Sequence, residues 1–164
     1  MKKTILTTAI VSAFLIGCNE TKNKEVKTET VEATETAHEQ HREEMTEHAT
    51  DNAWMTEIEL DSGSKWDANL ETTEGVDKML ELVRISDAKT VEDYHNLASE
   101  LNETKNFVVK KCTMKGPSHD NLHVFLHPLI EKISALGKIT TAEQGAQITA
   151  SIKDNLKGYY EYFQ

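Results

Sequence analysis

Cys112-Thr113-Met114-Lys115-Gly116-Pro117-Ser118-His119-Asp120-Asn121-Leu122-His123 is the stretch on which the reading of this chain turns. Gly116-Pro117 separates two helical apolar patterns. Proline suits the first turn of a helix and cannot continue one already running. A connection as short as Lys115-Gly116-Pro117 makes the flanking helices antiparallel neighbours whose apolar seams face one interior. The same stretch concentrates chemistry. Cys112 and Met114 bring soft sulfur, and His119 and His123 share one helix face at a spacing of i, i+4. Thiolate, thioether and imidazole favour copper or zinc over magnesium or calcium.

Outward from this corner, four helical patterns appear. The first covers about 72–88, with Val76, Met79, Leu80 and Val83 on one face and Thr72 or Thr73 as N-cap. The second opens at Thr90, has Asp93 as the return partner of a capping box, and runs to about 114 along Tyr94, Leu97, Leu101, Val108 and Cys112. The third starts at Ser118 as N-cap, follows His119, Leu122, Leu126, Leu129, Ile133 and Leu136, and ends at Gly137. The fourth is capped by Thr140 with Glu143 and presents Ile148, Ile152, Leu156, Tyr159 and Phe163. Together they predict an all-α, up-down-up-down four-helix bundle. Ahead of it, residues 54–66 alternate briefly and turn at Asp61-Ser62-Gly63-Ser64, giving a short extended segment or hairpin. Trp54, Leu60 and Trp66 are expected to cover one end of the core.

The N-terminal third has a different character. Residues 1–17 read as a lipoprotein signal peptide: Lys2 and Lys3, then an apolar run too short to span a bilayer, ending Leu15-Ile16-Gly17-Cys18. That ending resembles a bacterial lipobox, which implies an acylated Cys18 and a lipid-anchored chain outside the cytoplasm, periplasmic or outer-membrane associated. Two or three acyl chains anchor stably where one would be marginal. Residues 18–53 then comprise the lipidated cysteine and an acidic tether, rich in Glu, Thr and Lys, with a coil reach of roughly 30–35 Å. Within the tether His38, His41, Met45 and His48 share a face if helical, which suggests an auxiliary metal-collecting arm beside the plainer reading of a solvated spacer. The expected domains are thus 1–17, 18–53 and a bundle over 54–164.

Charge narrows the partners. The chain carries a formal net charge of −10, and loss of Lys2 and Lys3 with the leader makes it two units more negative. An acidic surface argues against nucleic acid and against anionic lipid as partners, while drawing cations towards it. With Cys18 acylated, Cys112 has no partner for an intrachain disulfide. It is an intermolecular disulfide, an inert thiol or a metal ligand, and its neighbours favour the last. The expected ligands are Cys112, His119 and His123 with Met114 as a fourth from the turn, while Asp120 orients an imidazole. Pro128 disturbs the helix after His127, which is expected to point outward, and His95 is assigned to the surface.

The run Cys-Thr-Met-Lys-Gly-x-x-His-Asp-x-Leu-His-x-x-Leu-x-Pro, with the lipobox, the acidic His-containing tether and the Trp-bearing segment, resembles small lipoproteins of the Bacteroidetes lineage. The resemblance spans most of the chain after the leader, densest from Cys112 to Pro128. It supports the fold and the weight placed on the motif, and supplies no activity. The bundle is also loosely similar to four-helix cytochromes but has no Cys-x-x-Cys-His, so covalent haem is not expected. Three functions follow as expectations. One is an envelope protein binding copper or zinc as buffer, chaperone or sensor, alongside metal-handling envelope partners. Another is a metal-free structural or interaction lipoprotein. The weakest is an enzyme using Cys112 as nucleophile and His119 as base, for which no oxyanion hole is evident. The chain is accordingly read as not an enzyme.

Overall fold

The structure is a computed structural model that describes residues 50–164. The expected leader, Cys18 and the His38, His41, Met45 and His48 stripe lie outside the described residues. Four helices follow a short 3₁₀ turn at Ala53–Thr56: α1 (Leu70–Ile85), α2 (Val91–Lys111), α3 (Pro117–Leu136) and α4 (Ala142–Tyr162). Each of α1 and α3 packs on both α2 and α4, so the four form a closed square with antiparallel neighbours. This is the four-helix bundle that the short connections dictate.

The apolar seams meet as their periodicity requires. Val76, Met79, Leu101, Val108, Leu129, Leu136, Ile152, Leu156 and Tyr159 are fully or almost fully buried. Two glycines permit close approach. A Cβ on Gly75 would lie 2.2 Å from Val108 Cγ2, so α1 and α2 touch there at backbone distance. A Cβ on Gly158 would meet the Trp54 ring at 2.9 Å, so that indole seats directly on α4.

Helix ends depart from the sequence reading in small, explicable ways. The first helix starts two residues earlier, because Asn69 takes the N-cap position and Thr72 is buried, its hydroxyl donating to Asn69 Oδ1 at 2.7 Å. The second begins at the expected capping box, with both halves formed between Thr90 and Asp93. Two backbone N–H donors at Lys89 and Thr90 hold the Asp93 carboxyl below its usual range. It ends at Lys111, short of 114, and Cys112 is its extended C-cap. The N-cap of α3 is Gly116, not Ser118, with Pro117 at the first helical position. Gly116 has φ 62° and ψ −149°, a region that essentially only glycine occupies. Thr141 caps α4 in place of Thr140, accepting from Gln144 N while Gln144 Oε1 accepts from Thr140 N.

The N-terminal segment is fastened at both ends. Asp61 and Ser64 exchange backbone hydrogen bonds around Ser62 and Gly63, whose φ values of 53° and 91° make the tight hairpin turn the sequence calls for. Trp66 pairs in parallel with Phe163 just beyond α4, through Trp66 N to Tyr162 O at 2.8 Å and Gln164 N to Trp66 O at 3.0 Å. Trp54 is buried and Trp66 half-buried, as expected, but Leu60 is 41% exposed and Ile58 takes the core position instead. The packing also reaches back to Asn52, two residues before the expected domain start.

Candidate functional site at the α2–α3 corner

Where α2 ends and α3 begins, the 112–116 connection leads through non-helical residues onto the turn at Gly116. The Gly116 carbonyl accepts from His119 N at 2.9 Å and Asp120 N at 3.0 Å, and Ser118 Oγ donates to the Lys115 carbonyl at 3.2 Å. Asn121 ties the corner to the N-terminal segment by accepting from Glu59 N at 2.9 Å. The first turns of α3 are therefore set before any side chain of the site is considered.

On this turn His119 is half-buried and His123 exposed. Their rings meet edge to face with centroids 4.5 Å apart, and the two Nε2 atoms are 3.2 Å apart. With one ring protonated at Nε2 this is an N–H···N hydrogen bond. It is also close to a chelating bite: two nitrogens about 2.0–2.1 Å from one tetrahedral ion stand about 3.3–3.4 Å apart. Replacing that one proton by a metal ion, with both rings carrying Nδ1–H, needs little movement of either side chain.

The remaining expected ligands are placed elsewhere. Cys112 and Met114 are half-buried and pack against the hydrophobic core. Cys112 lies near enough to the Tyr159 phenol of α4 for a small electrostatic effect on it. Burial pushes that phenol up most, a hydrogen bond from Thr73 opposes it, and Asp77 and Cys112 add to the rise. Among the described residues no three His, Cys, Asp or Glu side chains converge as a metal-binding group, so Cys112 does not join the two histidines in a ready-made set. The cause is local. Cys112 N still bonds the Val108 carbonyl at 2.9 Å, so its side chain ends the α2 seam, but its ψ of 123° turns the residues that follow out of the helix and carries the histidine pair away from it. Asp120 is exposed, and its carboxylate bonds neither imidazole among the described residues.

His127 points outward as expected, 3.5 Å from Glu131 on the exposed face. His95 departs from its surface assignment: it is half-buried, with Nε2 3.1 Å from the Ile139 carbonyl.

A second polar constellation, inside the bundle, escaped the sequence reading. Lys132 is 1% exposed, and its Nζ donates to Asn155 Oδ1 at 2.9 Å and to Asn52 Oδ1. Asn52 also accepts from Trp54 Nε1 at 3.2 Å and donates to Ser151 Oγ at 3.4 Å, while Asn155 donates to the Phe125 carbonyl at 3.4 Å. Burial lowers the Lys132 amine to about 8, against the pull of the Asp51 and Asp154 charges. The signal for it was present. Lys132 continues the spacing Leu122, Phe125, Leu129 and Leu136 on the inner face of α3, and Phe125, equally buried, belongs to the same row. On the far side Thr73 Oγ1 and Tyr159 OH share a hydrogen bond at 2.9 Å, and Tyr160 OH donates to Asp77.

Comparison with known protein families, curated proteins and solved structures finds no match to this chain.

Proposed function

We propose that this chain is a lipid-anchored envelope protein that captures a soft or borderline transition metal, copper or zinc, through His119 and His123. Its role would be that of a buffer, chaperone or sensor. The observation that carries the reading is the facing pair of imidazoles, Nε2 to Nε2 at 3.2 Å on an accessible helix face. Imidazole suits both metals, and the net charge of −10 concentrates cations near the surface. Cys112 and Met114 sit on the adjoining 112–116 connection and would complete the donor set only by turning out from the core. A two-histidine chelate finished by solvent is therefore the form we favour. The anchor rests on the Leu15-Ile16-Gly17-Cys18 ending, and on the resemblance to Bacteroidetes lipoproteins that share it.

A metal-free interaction lipoprotein is the competing reading, favoured by the core packing of Cys112 and Met114. Thermal unfolding of the reduced protein with Cu(I) or Zn(II) separates the two. Ligand at a hundredfold excess over its dissociation constant should add about 2.7 kcal/mol of stability. His119→Ala and His123→Ala should each remove that gain, while His127→Ala and Cys112→Ser keep it. A midpoint indifferent to both metals leaves only the metal-free reading.

A further inference from the structure

The histidine pair at the start of α3 supplies half of a coordination sphere. A tetrahedral ion takes four donors, and among the described residues no third His, Cys, Asp or Glu converges with His119 and His123. Cys112 and Met114 pack against the core. Both imidazoles stand on one face of one helix, His123 exposed and His119 half-buried, with their Nε2 atoms 3.2 Å apart. An ion held by both lies outside α3, and its two other positions point away from the molecule. Gly116 and Pro117, just before the pair, are exposed and carry no long side chain across that approach.

We infer, building on the metal reading above, that those two positions are filled by His119 and His123 of a second copy, so that one ion joins two chains. A two-fold axis through the ion sets two identical bites against each other, and a tetrahedron accepts them when they lie at right angles. A foreign partner would have to bring a matching pair of donors, whereas a second copy has one by construction. Solvent completes the ion on an isolated chain and is displaced as copies meet. Lys115 and Asp120, both exposed, flank the pair, so two facing corners present both charge signs although each chain carries −10. Asp120 also lies in the first turn of α3, where it offsets the positive helix end that alone would oppose a cation. None of the exposed large apolar side chains among the described residues lies on α3. The two copies therefore have little to hold them together there without the ion, and association follows the metal.

The probes are zinc(II) and, under reductant, copper(I), added in sub-stoichiometric amount to residues 18–164 carrying Cys18→Ser. Native mass spectrometry and light scattering should show a monomer in chelator, and with metal a dimer holding one ion per two chains that chelator reverses. His119→Ala and His123→Ala should each stay monomeric while circular dichroism stays helical. The stoichiometry of the unsubstituted chain decides the matter even if those variants misfold. His38→Ala, His41→Ala and His48→Ala together should keep the dimer, and its loss would overturn the inference in favour of the tether as the source of the other donors. A monomer holding one ion would overturn it and leave the single-chain metal reading standing. A chain that takes up neither ion would overturn both, and a dimer that persists in chelator would show that the ion is not what joins the copies.

Discussion

Lys132 Nζ and Asn155 Oδ1 lie 2.9 Å apart between α3 and α4, a neutral amide facing an amine that has almost no access to water. No carboxylate stands within ion-pair distance of Lys132 among the described residues, and the charges of Asp51 and Asp154 only moderate the effect of burial. Burying an ammonium on amide oxygens alone costs stability that an apolar side chain would not. What the lysine supplies instead is a bridge, since the same nitrogen reaches Asn52 on the N-terminal segment.

That bridge gives the fold a pH signature. The Lys132 amine drops from 10.5 to about 8 on folding. Between those values the unfolded chain holds one more proton than the folded one, so stability rises with pH across the interval. The penalty is fully present below pH 8 and relieved as pH climbs, by on the order of 3 kcal/mol over the whole interval. Tyr159 and Tyr160, both raised by burial, oppose the trend above pH 10, because the folded state then keeps phenolic protons that the unfolded state loses. Chemical denaturation at pH 7.5 to 9.5 should therefore show rising stability, and Lys132→Met should flatten the slope. A slope unchanged in Lys132→Met would place its origin elsewhere.

The boundary between tether and domain can be cut to the residue. Residues 20–50 carry little apolar side chain to contribute to a core, so on deleting them the thermal midpoint should move by less than about 5 °C, roughly 1 kcal/mol for a domain of this size. Extending the deletion to residue 56 removes Asn52 from Lys132 and Trp54 from its seat on Gly158. Loss of a buried indole alone costs about 3–5 kcal/mol. Differential scanning calorimetry of the two deletions should separate by well over 10 °C, and similar midpoints would mean that Trp54 does not seal the core.

Gly75→Ala sets helix propensity against packing. Alanine gains about 1 kcal/mol of intrinsic preference in a helix interior. Its methyl would sit 2.2 Å from Val108 Cγ2, and overpacking of that kind costs about 1–3 kcal/mol. Packing should win, with a net loss of up to about 2 kcal/mol in urea unfolding. In a Val108→Ala background the same change should become neutral or stabilising, because the colliding methyl has gone.

The seams of all four helices were legible because apolar side chains recur with the helical period and small errors in the ends leave that period intact. The Thr90–Asp93 capping box and the Ser62-Gly63 turn were legible for a similar reason: each is a local motif whose partners lie within a few residues. The inward position of Lys132 was legible in the spacing of α3 but its partners were not, since it is satisfied only by Asn52 and Asn155, residues 80 and 23 positions away that no local pattern connects to it. Leu60 misled because strand-like alternation in so short a segment does not say which face is covered. The α2–α3 corner was half legible. The histidine pair follows from spacing within one helix, whereas its position relative to Cys112 depends on the path of the chain where α2 unwinds.

The pairing of Trp66 with Phe163, and of Asp67 Oδ1 with Gln164 Nε2 across 97 positions of sequence, bears on the order of folding. Neighbouring helices meet over connections of five residues, so most of the bundle assembles through small loops. The pairing beside α4 must close a far larger one, and the entropy of that closure is lost before its few hydrogen bonds return anything. It should form after the helices have gathered and open before they part. The bundle then has a seam at which unfolding starts, and amide exchange at Trp66 and Gln164 would report that opening while the interior of α3 stays protected.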